Sequence, residues 1–309
     1  MIIGHTRIII YEMQAARTSG VRVIRWESMQ MLDLIQQLEG KTDIQRREIL
    51  LQQLALRKWN FQLQEYVYSG QSGSNIIVDI NDVPEPSILL VAHYDSFAGS
   101  PGANDDASAL AVLIDAAEKL QLESLEYHLR LVFFDDEEPT PFWNEPLGSK
   151  IYVEEFGVQD LHAVLDFEMC GMGDAVGIWP VEGVEGQAIL KQITNMMTRS
   201  KIPWDFGKRI PGFYADYLPF RNAGLLDSYC FTCFHWKERE RVRRFSEGNY
   251  QSLMLRYAAW KLFRVPMIPK IFRHYHTASD RSEFLSAKTL AWMSDLVYRL
   301  VLHLNFPSL

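Results

Sequence analysis

The sequence predicts an α/β protein, a three-layer α/β/α sandwich around a mixed, mainly parallel central sheet. Three observations lead there. From Ser87 onward, short apolar runs alternate with helical periodicity. The runs are almost continuously apolar, as strands covered on both faces are. An earlier pair of strand-like segments, with a glycine at each side of the turn between them, adds a hairpin that makes the sheet mixed.

The elements run in order from the N-terminus. An amphipathic helix starts at about Met29, in MQMLDLIQQL, and a second spans Asp43 to Lys58. Strands are expected at Asn60 to Ser69 and Ser74 to Ile80, with Gly70 and Gly73 bracketing the turn. The alternating part then gives a strand at Ser87 to His93, a helix at Ser108 to Gln121 and a strand at Leu129 to Asp135. A helix near Gly148 to Phe156 and a strand at Ala163 to Glu168 come next. The remainder reads as helices at Glu185 to Ser200 and Asp216 to Ala223, a strand at Leu225 to Phe231, and long helices at Ser246 to Val265 and Ala287 to Leu304. The dense charge run Lys237 to Arg244 suits a solvated face. Residues 1–28 lack periodicity and read as an N-terminal extension; residues 29–309, without repeats or low-complexity linkers, read as one domain.

Composition excludes several functions. The 309 residues are 48% hydrophobic and 23% charged, the balance of a globular protein. A formal charge of -8 argues against a nucleic acid partner, which requires a basic face. No run reaches the roughly 18 to 20 apolar residues of a membrane-spanning helix. The N-terminal apolar patch is broken by His5, Thr6 and Arg7, too soon for a secretory leader. Three sparse cysteines, Cys170, Cys230 and Cys233, fit a reducing compartment, so a cytoplasmic location is expected. The Cys230-Cys233 pair lacks a second pair to complete a zinc site and reads as buried thiols.

In open α/β sheets, ligands gather beyond the carboxyl ends of strands. Several apolar runs here end in metal-ligating residue types: SILLVA leads into His93-Tyr94-Asp95, LRLVFF into Asp135 to Glu138, and AVLDF into Glu168. Charges beside an apolar sheet need partners, and a pair of divalent metals is a simple one. Asp95, two residues after His93, shares its side of an extended chain and can orient the imidazole. The turn GSPGAN brings Asp105 back toward His93, where it can bridge two metals. Of the adjacent Glu137 and Glu138, one can bind metal while the other takes a proton from activated water.

With those segments in view, the chain resembles co-catalytic di-zinc exopeptidases of the bacterial leucyl aminopeptidase type, a group that also includes the animal-type glutaminyl cyclases. AHYDS, PGANDDAS, FFDDEE, AVLDFEMCGMGD, ADYLPF and YHTASD carry the resemblance, from about Leu89 to Leu290. It implies two zinc ions: Asp105 bridging them, His93 and Glu168 completing one, Glu138 and His276 completing the other. Glu137 becomes the general base. The step from Glu168 to Gly171 matches the family's spacing, with Asp166 as the rival for that position. Asp216 resembles an acid that lines the substrate site, and Tyr275 can hydrogen-bond a developing oxyanion. The implied reaction is attack of a metal-bridged hydroxide on the first peptide bond of a peptide with a free N-terminus. The alternative is a glutaminyl-peptide cyclotransferase forming N-terminal pyroglutamate. The longer aromatic segment PTPFWNEPL after Glu138 resembles the cyclases, and Tyr275 before the last ligand resembles the peptidases.

Overall fold

SILLVAH, Ser87–His93, is strand β3 and is buried at every position, because it lies inside an eight-stranded sheet with helices on both faces. The structure is a computed structural model that describes residues 23–84, 86–139, 145–179, 187–207, 214–247 and 268–306, plus isolated positions between 251 and 259. The other strands are β1 (Phe61–Tyr68), β2 (Gln71–Asp79), β4 (His128–Phe134), β5 (Leu161–Glu168), β6 (Ala175–Trp179), β7 (Trp204–Phe206) and β8 (Ser228–Phe234). Their order across the sheet is β1-β2-β4-β3-β5-β8-β6-β7. β4, β3, β5 and β8 run parallel, while β1-β2-β4 and β8-β6 are joined antiparallel. The mixed, centrally parallel sheet expected from sequence is what forms.

Helices cover both faces, and the period of two along each strand decides which residue meets which layer. The helices are α1 (Val23–Leu38), α2 (Asp43–Leu56), α3 (Ser108–Leu120), α4 (Leu147–Phe156), α5 (Ala188–Arg199), α6 (Tyr217–Asn222), α7 (Arg239–Ser246) and α8 (Ala287–Asn305). Ile88, Leu90 and Ala92 of β3 join a core with α1, α3, α5 and α8. Leu89 and Val91 turn the other way, into a core with Tyr152 of α4 and Phe220 of α6. Burying each leucine, isoleucine or valine among them contributes about 1.5–3 kcal/mol. α2 starts from a capping box in which Thr42 and Gln45 satisfy each other's backbone N–H groups.

Several expectations shift. The first helix begins at Val23 rather than near Met29. The strand expected at Leu225 to Phe231 is displaced to Ser228–Phe234, because Leu225 donates its N–H to the Phe220 carbonyl in the turn that closes α6. β6 and β7 carry too little sequence signal to be expected: each is short, and Gly177 interrupts the apolar run of β6. The helix expected from Glu185 starts at Ala188. The charge run forms most of α7, which buries Val242 and Phe245 and pairs Arg243 with Asp205. The long helix expected over Ser246 to Val265 falls mainly outside the described residues, as do residues 1–22. No described helix is long and apolar enough to cross a membrane.

Candidate metal centre

β3 ends at His93, β4 at Phe134 and β5 at Glu168, and all three point the same way. The segments leaving these strands therefore collect at one edge of the sheet. After β3 the chain loops out and returns through a wide helical turn, Ala103–Ala107, into α3. At Gly102 the backbone is left-handed, φ +67°, and a Cβ would lie 2.5 Å from the Arg46 guanidinium and 3.0 Å from the Asp105 carbonyl oxygen. Only glycine fits there without strain. Arg46, fully buried on α2, donates from Nη1 to the Gly102 carbonyl at 3.2 Å. Asp280 accepts the backbone N–H groups of Asn104 and Asp105 at 2.9 and 3.0 Å. Asn104 Oδ1 accepts the Gly171 N–H at 2.9 Å, tying the turn to the end of β5.

Asp105 is thereby held between two histidines. Its Oδ1 lies 3.3 Å from His93 Nε2 and its Oδ2 lies 3.5 Å from His276 Nε2. Glu138 Oε2 is 2.8 Å from the same His276 nitrogen, and Glu137 Oε2 is 3.8 Å from His93 Nε2. Asp95 supports the whole group: Oδ1 faces His93 Nδ1 at 3.1 Å and accepts the Glu137 N–H at 3.2 Å, while Oδ2 accepts the Glu138 N–H at 2.9 Å. With Nδ1 directed at Asp95, Nε2 is the nitrogen that faces the centre. His276 has a left-handed backbone, φ +53°, uncommon for a residue with a side chain.

Asp105, Glu138 and His276 present donor atoms within 4.8 Å of one another, as do His93, Glu137 and Glu138. Glu168 falls instead into a third buried group with Asp166 and Cys230. His93 and Asp105 are nevertheless among its electrostatic neighbours. Asp166 Oδ2 accepts the Tyr217 N–H at 3.1 Å, while Asp166 Oδ1 and Glu168 Oε1 accept no hydrogen bond among the described residues. Asp216, just before α6, is fully buried, and neither oxygen accepts a hydrogen bond of good geometry among the described residues. Tyr275 stacks against His276, with ring centroids 3.7 Å apart. The segment PTPFWNEPL is cut by residues 140–144, outside the described set.

The field of the site arises from burial and crowding of carboxylates. Burial pushes Glu137 well above the ordinary carboxylate range; His93 pulls it back, and Glu168, Glu138 and Asp216 push it further. Burial, reinforced by Asp105, lifts Glu138 to about 7, and burial lifts Asp216 to about 7. Burial raises Asp105, but the two histidines outweigh it and hold its carboxyl low. Burial pulls His93 down, yet Glu137, Asp105 and Asp95 keep it well above its usual value. The Tyr275 phenol is pushed up by burial and by the surrounding carboxylates, which keeps its proton in place as a donor.

This donor set fits divalent metal. Asp105 Oδ2, Glu138 Oε2 and Glu168 Oε1 are buried and accept no hydrogen bond of good geometry among the described residues, which is costly unless a cation completes them. Imidazole with carboxylate is a zinc-type donor set.

Sequence reasoning found every residue of the Asp105 cluster but missed three supports. Asp280 was legible as the last letter of YHTASD and Asn104 as part of GAND. Arg46 carried no signal, since an arginine in the charged helical stretch QRRE ordinarily faces solvent.

A mixed sheet with a two-histidine, carboxylate-rich centre beyond the carboxyl ends of its parallel strands is the α/β setting of a metal site. Residues 75–301 match Peptidase family M28, and the chain belongs to that family. The family likeness and the α/β fold expected from sequence are thus borne out. Aminopeptidase YwaD of Bacillus subtilis (strain 168) is 26% identical over 240 residues, which cover 74% of this chain and 44% of that protein. Among solved structures, BSAP, a zinc aminopeptidase from Bacillus subtilis, superimposes with a TM-score of 0.56 at 21% identity, over 78% of this chain and 53% of its own. Porphyromonas gingivalis glutaminyl cyclase gives a TM-score of 0.66 at 17% identity, over 90% of this chain and 98% of its own. The chain thus spans about half the length of these aminopeptidase relatives. At these identities the structural likeness is one of fold.

Proposed function

We propose that the protein is a zinc-dependent aminopeptidase that removes the N-terminal residue from peptides with a free amino terminus. The observation that carries the reading is Asp105, each of whose oxygens faces a different histidine, as suits a carboxylate shared by two ions. Asp105, His93 and Glu168 would hold one zinc ion, and Asp105, Glu138 and His276 the other. Glu168 is preferred to Asp166 because its step to Gly171 matches the family's spacing; each carboxylate keeps one buried oxygen without a hydrogen bond among the described residues. When bound, the pair of ions supplies Lewis-acid polarisation of the peptide carbonyl and acidifies water at the site.

The chain's own residues do the rest. Glu137, whose affinity for a proton is raised by burial, accepts a proton from the attacking water and delivers it to the amine nitrogen as the C–N bond breaks. Tyr275 donates its phenolic hydrogen to the developing oxyanion. Asp216, buried behind the site, adds to the negative field that would attract the ammonium group of the substrate, and Asp95 keeps His93 and the Glu137-Glu138 backbone in place. The three free, buried cysteines support a reducing, cytoplasmic location.

The second reading, glutaminyl-peptide cyclisation, is favoured by the near-complete length match to the Porphyromonas gingivalis enzyme. Metal analysis of purified protein, with assays on aminoacyl anilides and on a peptide beginning with glutamine, separates the two. About two zinc ions per chain and release of free amino acid support the peptidase. One zinc with pyroglutamate formation replaces it by the cyclase, and metal binding without either product removes both.

A further inference from the structure

Phe97 is not among the metal donors, yet it touches both side chains that distinguish one ion's site from the other's. Its ring lies flat against the His276 imidazole, with centroids 4.0 Å apart and planes within 6°. Tyr275 stacks on the same imidazole at 3.7 Å, with an interplanar angle of 21°. Two rings cannot occupy one face at such separations, so His276 is sandwiched between them. The backbone N–H of Phe97 donates to Glu138 Oε1 at 3.1 Å. That bond commits one oxygen of Glu138 and leaves Oε2, the one 2.8 Å from His276 Nε2, facing the centre.

The loop that carries Phe97 is itself anchored. Ser96 donates its N–H to Asp43 Oδ1 at 3.2 Å on α2, and Ser100 donates to the Phe97 carbonyl at 2.8 Å. The ring is therefore presented from a fixed turn rather than a free arm. His276 needs such support because its left-handed backbone sits in a segment of 3-10 turns rather than on a strand, and its side chain is more exposed than that of His93, 12% against 1%. His93 obtains its orientation from Asp95; among the hydrogen bonds of the described residues, none fixes the His276 ring in the same way.

We propose that Phe97 is a positioning residue for the ion held by Glu138 and His276: its ring sets the plane of the imidazole, and its N–H selects the carboxylate oxygen offered to metal. The inference rests on the proposed role of these residues as metal ligands. It assigns the two sites different means of preorganisation, a carboxylate behind His93 and an aromatic clamp around His276.

The test is zinc titration by calorimetry of metal-stripped wild type, Phe97→Ala, Phe97→Leu and Phe97→Tyr, with circular dichroism to check folding. Both Phe97→Ala and Phe97→Leu are expected to weaken one class of zinc site by about 10-fold or more, leaving the other unchanged, while Phe97→Tyr restores wild-type affinity. Phe97→Leu keeps the N–H and the apolar bulk, so its loss isolates the aromatic face and serves even where Phe97→Ala does not fold. Wild-type zinc binding by Phe97→Leu, or equal weakening of both classes, overturns the assignment while leaving the metal centre intact. Failure of the wild type to bind zinc overturns both.

Discussion

Asp95 Oδ2 accepts the backbone N–H of Glu138 at 2.9 Å, while the other oxygen of the same carboxylate faces His93. One side chain on the exit from β3 thus positions His93 and the Glu137-Glu138 backbone, across a strand boundary.

For that reason Asp95→Asn is expected to do more than turn one ring. An amide supplies one acceptor oxygen where the site uses two, so either His93 or the Glu138 backbone loses its partner. Zinc affinity should fall by about 10- to 100-fold, with kcat lowered alongside it. Zinc content after dialysis against a competing chelator measures this; unaltered retention would remove the support role.

Glu137→Gln separates binding from proton transfer. The backbone bond to Asp95 survives the change, so zinc binding should persist while kcat drops by about 10²–10⁴-fold, the usual worth of general acid–base catalysis. Near-normal turnover by a metal-replete variant would exclude Glu137 as the base.

Without metal, the carboxylates set a pH dependence of stability. Burial holds Glu138, Asp216 and Asp280 up at about 7 each, against about 4 in the unfolded chain. Between those values the folded protein binds more protons than the unfolded one, so stability falls as pH rises through the window. His93, raised despite its burial, acts in the same sense: its contribution is full below the unfolded value and is lost as pH rises through the folded one. Asp105, held low, acts oppositely but only below its ordinary range. The metal-stripped protein should melt at a higher temperature at about pH 5.5 than at about pH 8, and added zinc should stabilise it more at the higher pH. Calorimetric Tm values that are flat or rise with pH would contradict this.

Gly102→Ala probes the turn behind Asp105. The left-handed backbone alone costs an alanine about 1–2 kcal/mol, and the new methyl group would press on Arg46 and on the Asp105 carbonyl oxygen. Chemical denaturation should show at least that loss, together with weaker zinc binding. An unchanged unfolding midpoint would mean that the turn relaxes without cost.

Much of this was legible in the chain because strand ends announce themselves. An apolar run that stops at His93, Phe134 or Glu168 marks both the sheet and the edge where chemistry collects. Asp166 and Glu168 are harder to tell apart, since residues two apart on a strand share a face; only the spacing to Gly171 favours Glu168, and both are buried at the end of β5. Phe97 was hidden for a related reason. An aromatic residue in a loop has no periodicity to reveal what it covers, and its partner lies far along the chain. The slipped β8 shows the limit for edges: Leu225 is as apolar as a strand residue, but the closing turn of α6 claims its backbone first.

Strand register also governs ion capture. β3 pairs with β4 so that His93 stands opposite Phe134, four positions before Glu138, and a one-residue slip would swing His93 toward the other helical layer. Asp105 and His276 join only after loops of very different lengths have closed. The donors therefore meet only when β3, β4 and β5 are in register and both loops have closed, so any free energy of metal binding would be released by the folded molecule. The centre thus reports on the pairing of the central strands: a chain that threads β3, β4 or β5 out of register would not bring this donor set together.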